Sequence, residues 1–252
     1  MSLRDWAVAR VHDALHSEAV IRRRFPDVDP AVRAIFERVK PYTMTSPERV
    51  FALCDAVAYL VREKIEGAVV ECGVWRGGST MAAALRFREL GDAARDFHLF
   101  DTFEGMSEPT EHDRRASDSA TAAQLLATSA QDEKIWCVAG IDDVRANLVA
   151  AGCDMGRMHL VEGKVEDTLP AAAPETIALL RLDTDWYEST RHELEHLFPR
   201  LVPGGVLIID DYGAWEGARR AVDEYIAAGK AKLLLNRIDE TGRIAVKLGQ
   251  YA

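Results

Sequence analysis

The sequence predicts a doubly wound α/β fold, because short apolar segments alternate with helical segments along most of the chain. Five apolar runs have the length of buried strands, and they lie at 68–74, 97–101, 158–162, 177–183 and 206–210. Helical apolar spacing occupies the intervening segments at 79–90, 118–130, 142–151, 188–201 and 215–228. Strands that alternate with helices form βαβ units and a parallel sheet, and such continuously apolar strands are buried on both faces.

The segments before the first strand are predicted to be helical. Residues 4–40 read as arginine-rich helices interrupted by prolines. A further helix begins near Ser46, a capping residue followed by proline at the first helical position. We expect residues 1–45 to form a helical cap or lid on a single domain that spans 46–252.

The C-terminal region departs from the alternation of strands and helices. Segments 231–238 and 243–248 are joined by a turn at 239–242, so the sheet is expected to end in an antiparallel hairpin. A second interruption is the polar stretch at 107–135, which is rich in Ala, Ser and Asp. This stretch is predicted to be a lid or surface insertion.

Composition narrows the classes of function. The net charge of −10 disfavours binding to nucleic acid or to an anionic membrane. No apolar run reaches the ~20 residues that span a bilayer, and the N-terminus lacks the apolar core of a secretory signal. The four cysteines show no metal-ligand spacing, which favours reduced thiols in a cytoplasmic protein.

Acidic residues gather at the carboxyl ends of the predicted strands, where open α/β sheets bind their ligands. One strand ends in Asp101, and Glu71 precedes the glycine that closes the first strand. The last two parallel strands are followed by Asp183, with Asp185 beyond it, and by Asp210-Asp211. If those two strands are neighbours, their carboxylates could share one cation, and such hard oxygen ligands suit Mg²⁺.

The loop after the first strand indicates a small-molecule cofactor. Its sequence at 71–80, ECGVWRGGST, brings glycines and a helix start together, so backbone N–H groups could face a ligand. Trp75 occupies the place of the second glycine of a G-x-G-x-x-G fingerprint, which disfavours a dinucleotide pyrophosphate. Asp101 suits ribose hydroxyls, which adenosine cofactors share, although an aspartate there could also cap a helix.

A zinc-peptidase pattern, H-E-x-x-H, occurs at 192–196. Helical spacing puts Leu194, Leu197 and Phe198 on the apolar face of this segment, with His192 and His196 on the opposite side. We therefore expect a solvated helix face and not a zinc site.

Six motifs, in order, resemble the TylF-type (macrocin) O-methyltransferases over about residues 42 to 225. They are YTMT at 42–45, ECGVWRGG at 71–78, FDTFEG at 100–105, EDTLP at 166–170, RLDTD at 181–185 and IDDY at 209–212. The resemblance implies a class I methyltransferase fold that uses S-adenosylmethionine and Mg²⁺ to methylate sugar hydroxyls of antibiotics and related natural products. Its acceptor would be a small hydroxylated molecule, and whether the chain forms a homo-oligomer is left open.

The resemblance also implies roles for individual residues. Asp183, Asp210 and Asp211 would bind the metal, and Asp185 would be the general base. The implied cofactor-binding residues are Met44, Glu71, Gly73, Ser79, Asp101, Thr102, Phe103, Gly163, Val165 and Asp183. The chain departs from the family where an aromatic pair is usual, at Lys164 and Val165, and where glycine is usual, at Thr184.

Three other functions are alternatives to this interpretation. Catechol-type methyltransferases share the metal site but place a lysine at or near the position of Trp186, so a carboxylate base fits this chain better. A nicotinamide-dependent oxidoreductase would need the missing glycine fingerprint. A non-catalytic scaffold would have no reason to keep four clustered carboxylates. In the favoured mechanism the metal lowers the pKa of the acceptor hydroxyl, and Asp185 accepts its proton.

Overall fold

A computed structural model describes residues 18–130 and 134–249 and places a seven-stranded sheet at the centre of the chain. The strands are β1 (Ala68–Cys72), β2 (Phe97–Asp101), β3 (Met158–Glu162), β4 (Ile177–Leu182), β5 (Leu201–Ile209), β6 (Asn236–Arg237) and β7 (Arg243–Val246). Their order is β3-β2-β1-β4-β5-β7-β6, with β1 to β5 parallel and β7 antiparallel to both of its neighbours. This order confirms the predicted doubly wound sheet.

Helices cover both faces of the sheet. They are α1 (Glu18–Arg24), α2 (Pro30–Val39), α3 (Pro47–Arg62), α4 (Gly78–Glu89), α5 (Ala122–Thr128), α6 (Ile141–Ala150), α7 (Val165–Thr168), α8 (Tyr187–Leu197) and α9 (Glu216–Ala227). Short 3₁₀ turns lie at Lys40–Tyr42, Lys134–Trp136, Met155–Arg157 and Phe198–Arg200. Within the described ranges, no helix is both long and apolar enough to cross a membrane.

Local signals explain where the helices near the site begin. Ser46 accepts a hydrogen bond from Arg49 N at 3.2 Å, and Pro47 occupies the first turn of α3, as predicted. Helix α4 begins after Gly77, whose φ of 87° requires a residue that tolerates the left-handed region. Both helix starts point toward the carboxyl edge of the sheet, where Gly78 lies against the backbone of Tyr42.

Two apolar cores lie on opposite faces of the sheet. One core packs helices α1, α2, α3, α4 and α6 against the sheet, and its buried side chains include Phe36, Val57 and Leu148. The other joins α8 and α9 to the opposite face through Leu194 and Val222. Because β1, β4 and residues 205–209 of β5 are buried on both faces, their polar groups can meet a ligand only at the strand ends.

Two predicted elements differ from the structure. The first hairpin strand, predicted at 231–238, is reduced to Asn236–Arg237 at the sheet edge. In the segment before it, Leu233 and Leu235 pack against the second core and Leu234 is 75% exposed. The helix predicted at 118–130 begins only at Ala122, where Thr121 caps it. The predicted helical residues 4–17 lie outside the described residues.

Candidate active site

A deep pocket opens at the carboxyl ends of the parallel strands, beside the point where the strand order reverses between β1 and β4. Ligand sites in open α/β sheets lie at this position because adjacent connections leave the sheet in opposite directions there. The sequence analysis predicts the candidate residues at this same edge of the sheet.

Nearly all candidate residues meet in this pocket. Those that line it are Met44, Glu71, Gly73, Ser79, Asp101, Thr102, Gly163, Val165, Asp183, Asp185, Asp210 and Asp211. Phe103 does not line the pocket: its ring is buried, and its backbone N–H donates to Asp101 Oδ1 at 2.8 Å. Phe103 therefore contributes to the site through its backbone, by holding Asp101.

The loop between β1 and α4 brings backbone close to the pocket. Gly73 has a φ of 81°, and a Cβ at this position would lie 1.9 Å from the carbonyl oxygen of Asp183. Asp101 fixes the same loop, because its Oδ2 accepts from Val74 N at 2.6 Å and from Trp75 N at 3.0 Å. Burial raises the pKa of Asp101, and these backbone hydrogen bonds oppose that effect.

Three aspartates are close enough to share one cation. Carboxylate oxygens of Asp183, Asp185 and Asp211 all lie within 4.8 Å of one another. They come together because β4 and β5 are neighbours, with Asp210 N donating to Leu182 O at 2.9 Å. The strand-end acids are thus one cluster, as the sequence pattern indicates.

The clustered carboxyl groups bind protons more tightly than free ones do. Burial, followed by the charge of Asp183, raises the pKa of Asp185 to about 7. Burial also raises the pKa of Asp183 and of Asp211 well above the usual value, and neighbouring aspartates add to the effect. Like charges in a site of low dielectric favour the protonated form unless a cation compensates them.

Asp210 has a different set of partners from the other three aspartates. Its Oδ1 accepts from Arg181 Nη2 at 2.6 Å, and its Oδ2 pairs with Arg49. Arg181 also binds Glu71 Oε1 at 2.8 Å and Asp183 Oδ2 at 2.7 Å, although it is only 4% exposed. One buried guanidinium therefore holds three of the predicted site carboxylates.

The two arginines line the pocket, and the sequence patterns did not identify either of them. The sequence could have indicated Arg181, because it is the one charged residue within the apolar strand β4. A charge in a strand that is buried on both faces must be paired. Arg49 lay in the helical pattern of α3, where nothing in the spacing distinguished it from a surface residue.

The carboxylates at the pocket fit a divalent cation. Three carboxylates with only partial compensation by arginine carry an excess of negative charge, and hard oxygens are the ligands that Mg²⁺ prefers. Asp211 Oδ2 is buried and has no hydrogen-bond partner among the described residues. An orphaned buried oxygen within a group of acids fits a metal ligand.

The insertion predicted at 107–135 lies against the acidic cluster. Trp186 Nε1 donates to Ser107 O at 3.0 Å, and its ring packs edge-on against Trp215. Trp215 Nε1 in turn donates to Asp185 Oδ2 at 3.0 Å. The buried Asp113 accepts from Tyr187 N at 2.7 Å at the start of α8. The insertion is therefore hydrogen-bonded to Trp186, the candidate base is hydrogen-bonded to Trp215, and the packed indole rings connect the two.

The H-E-x-x-H segment lies on α8, and its residues differ in burial. His192 and His196 are partly exposed, with ring centroids 4.3 Å apart. Glu193, which a solvated helix face would leave in water, is fully buried. The described residues offer no third ligand that would form a metal group with the two histidines.

Known proteins with similar sequences are methyltransferases of antibiotic pathways. A tetracenomycin-type enzyme from Streptomyces olivaceus, 8-demethyl-8-(2,3-dimethoxy-alpha-L-rhamnosyl)-tetracenomycin-C 4'-O-methyltransferase, is 35% identical over 86% of this chain and 80% of its own length. Mycinamicin III 3''-O-methyltransferase from Micromonospora griseorubida is 32% identical over 73% of this chain and 70% of its own length. The solved structure of the O-methyltransferase NovP superposes with a TM-score of 0.72 at 28% identity, covering 82% of this chain and 83% of that one.

The family model described as macrocin-O-methyltransferase (TylF) matches residues 9–246. That range contains both the pocket and the acidic cluster. The methyl donor of such enzymes is S-adenosylmethionine, which accords with a glycine-lined pocket that lacks a dinucleotide fingerprint. The chain belongs to the TylF-type macrocin-O-methyltransferase family and is an S-adenosylmethionine-dependent O-methyltransferase.

Proposed function

We propose that this enzyme uses a divalent cation, Mg²⁺, to methylate a hydroxyl group on the sugar of a glycosylated natural product. The observation that carries the proposal is the group of three carboxylates within reach of one ion, beside the cofactor pocket. The names of the two relatives support the acceptor class, because one methylates a rhamnosyl tetracenomycin and the other mycinamicin III.

The cofactor would be held by residues on both sides of the β1–α4 loop. Gly73 and Ser79 line the pocket where the backbone comes closest, and Met44 covers it from the N-terminal side. Asp101 Oδ2 already accepts two backbone hydrogen bonds. Its Oδ1 accepts one from Phe103 N, which leaves one acceptor position on Oδ1 for a ribose hydroxyl, because the Thr102 hydroxyl donates its closer hydrogen bond to Gly105 O. Bound S-adenosylmethionine supplies an electrophilic methyl group on a positively charged sulfur.

The metal would be held by Asp183, Asp210 and Asp211. Asp183 and Asp211 belong to the group of carboxylates within one ion's reach, and the third member of that group is Asp185. Both oxygens of Asp210 are bound by arginines, Arg181 and Arg49, so Asp210 would have to exchange one of these contacts for the ion. A divalent cation bound there supplies a positive charge that lowers the pKa of a nearby hydroxyl. Asp185 is the base in this proposal: it lines the pocket and is oriented by the indole N–H of Trp215.

Two alternatives remain as competing proposals. A catechol-type enzyme would use the same metal edge, but the residue after Asp185 is the buried Trp186, so no lysine replaces the carboxylate base there. A nicotinamide enzyme would need room for a pyrophosphate beside Trp75, whose φ of 46° places it within the tight loop after β1. Both alternatives account less well for the acidic cluster.

The remaining proposals concern the setting of the enzyme. We propose that residues before 46 and the insertion at 107–135 cap the active-site domain, because Met44 and Ser107 line the pocket. None of the four cysteines, all of which the structure describes, forms a disulfide, which supports a cytoplasmic setting. Neither nucleic acid nor a membrane is proposed as a partner, and self-association stays open.

Thermal unfolding with added ligands tests the proposal. S-adenosylhomocysteine at 100 times its Kd should stabilise the protein by about 2.7 kcal/mol, and NAD should not. Mg²⁺ should add a separate stabilisation that EDTA removes and that Asp211→Asn abolishes. The exposed Asp167 serves as a matched control, since Asp167→Asn should respond to Mg²⁺ as the wild type does. A response to NAD but not to S-adenosylhomocysteine would contradict the proposal.

A further inference from the structure

Glu193, the central acid of the H-E-x-x-H segment, is a buried carboxyl group for which the proposed mechanism has no use. Its side chain is 0% exposed, and its Oε1 accepts from Thr184 Oγ1 at 2.9 Å. Its Oε2 is buried without a hydrogen-bond partner among residues 18–130 and 134–249. A buried carboxyl group costs several kcal/mol unless its contacts compensate for the lost water.

The partner of Glu193 lies between two residues of the acidic cluster. Thr184 separates Asp183 from Asp185 and lines the pocket. The backbone turns sharply here: Trp186 N donates to Thr184 O at 2.8 Å, and Asp185 has a φ of 68°. A left-handed conformation is unfavourable for a residue with a Cβ and persists only when surrounding contacts enforce it.

Glu193 also reaches the end of the first strand. The buried Cys72 thiol interacts with the Glu193 carboxyl group, and Cys72 O accepts from Asp183 N at 2.8 Å. Glu193 thus lies beneath two strand ends, one that leads into the cofactor loop and one that carries the acids. Burial raises its pKa to about 8, so the group is largely neutral at neutral pH.

We propose that Glu193 is a positioning residue that, by accepting the Thr184 hydroxyl hydrogen bond, holds Asp183 and Asp185 in the geometry required for methyl transfer. This role rests on the proposed function, in which those two aspartates serve the metal and the acceptor proton. Neither Glu193 nor the two histidines binds zinc in this assignment. Glu193 acts from the core side, while Asp183 and Asp185 face the pocket.

The proposal is tested by steady-state kinetics on variants of both partners. Thr184→Val and Glu193→Leu each remove one side of the hydrogen bond, and each should lower kcat by about 10- to 100-fold, since small misplacement of reacting groups has effects of that size. The KM for S-adenosylmethionine should stay within about twofold, because most of the proposed cofactor-binding residues lie outside the 183–185 segment. The double variant should be no slower than the slower single variant, as expected for residues that act as a pair.

Two further variants separate positioning from general structural support. Glu193→Gln keeps an acceptor for Thr184 and should retain at least about a third of wild-type kcat. Thr190→Val makes the same substitution at a buried threonine of the same helix and should leave kcat unchanged. A loss that follows stability alone would affect Thr190→Val and Thr184→Val equally, which would overturn the proposal.

The outcome also distinguishes this inference from the proposed function. Wild-type kcat in both Thr184→Val and Glu193→Leu, together with an inactive Asp185→Asn, overturns the positioning role alone. Full turnover by Asp185→Asn overturns the base assignment and the positioning role together. If Glu193→Leu fails to fold, Thr184→Val decides the matter, because its side chain is only partly buried.

Discussion

Replacing Asp185 with asparagine is expected to lower kcat by about 10²- to 10⁴-fold, the usual contribution of a general base. The amide keeps the shape of the side chain and can still accept from Trp215 Nε1, but it cannot take up the acceptor proton. Binding of S-adenosylhomocysteine and of Mg²⁺ should persist, and both can be measured by calorimetric titration. Lost Mg²⁺ binding would instead identify Asp185 as a ligand of the ion.

Glu188→Gln provides the matched control for Asp185→Asn. Glu188 lies three residues further along, and its carboxylate pairs with Arg191 at the surface of α8. Its substitution removes an acid from the same region without touching the pocket, so kcat should stay near that of the wild type. Wild-type turnover by Asp185→Asn would show that another group takes the proton.

Asp185→Asn should also change how the stability of the metal-free protein depends on pH. Burial and neighbouring carboxylates raise the pKa of Asp185 to about 7 in the folded state, against about 4 in the unfolded chain. Because the pKa of Asp185 is higher in the folded state, its protonation contributes to the free energy of unfolding. This contribution is complete below about pH 4 and is lost as the pH rises through about 7. In EDTA, the free energy of unfolding of the wild type should therefore fall by about 2 kcal/mol more than that of Asp185→Asn between about pH 5.5 and 8.

Arg181→Met is expected to lower the free energy of unfolding by about 3–5 kcal/mol, the typical cost of removing one partner from a buried ion pair. The substitution leaves Glu71, Asp183 and Asp210 facing one another without their shared guanidinium. Urea unfolding at neutral pH measures the loss. Acidification should reduce it, because protonation of the unpaired carboxyl groups relieves their repulsion.

An exposed arginine supplies the comparison for Arg181→Met. Arg191 pairs with Glu188 on α8, and both side chains are about half exposed. Exposed pairs contribute about 0–1 kcal/mol, so Arg191→Met should unfold nearly as the wild type does. Equal stabilities of the two variants would show that the charges beneath the pocket do not depend on Arg181.

The sequence could predict the sheet and the location of the site because both depend on short-range patterns. Apolar runs that end in Asp101, Asp183 and Asp210 specify buried strands whose polar ends meet at one edge. The boundary of β6 could not be predicted in this way. Its preceding segment has the apolar pattern of a strand and packs Leu233 and Leu235 against the second core, yet only Asn236 and Arg237 pair with β7.

Pairing between side chains was the part of the site that sequence patterns could not provide. The contacts of Arg49 with Asp210 and of Arg181 with Glu71 join residues that are distant in sequence. The burial of Glu193 could not be predicted either, since helical spacing gives only the approximate face of the helix on which a residue lies. Its burial depends on Thr184 and on the strand ends above it.

Metal-dependent transfer of a labelled methyl group from S-adenosylmethionine to glycosylated acceptors tests the central claim most directly. The acceptors would include the rhamnosyl tetracenomycin and the mycinamicin III that the relatives' names specify, with the corresponding aglycones as controls. We predict that a glycoside is methylated, that EDTA abolishes turnover, and that Mg²⁺ restores it in the wild type but not in Asp211→Asn. Equal turnover in EDTA and in Mg²⁺, or undiminished turnover by Asp211→Asn, would contradict the account.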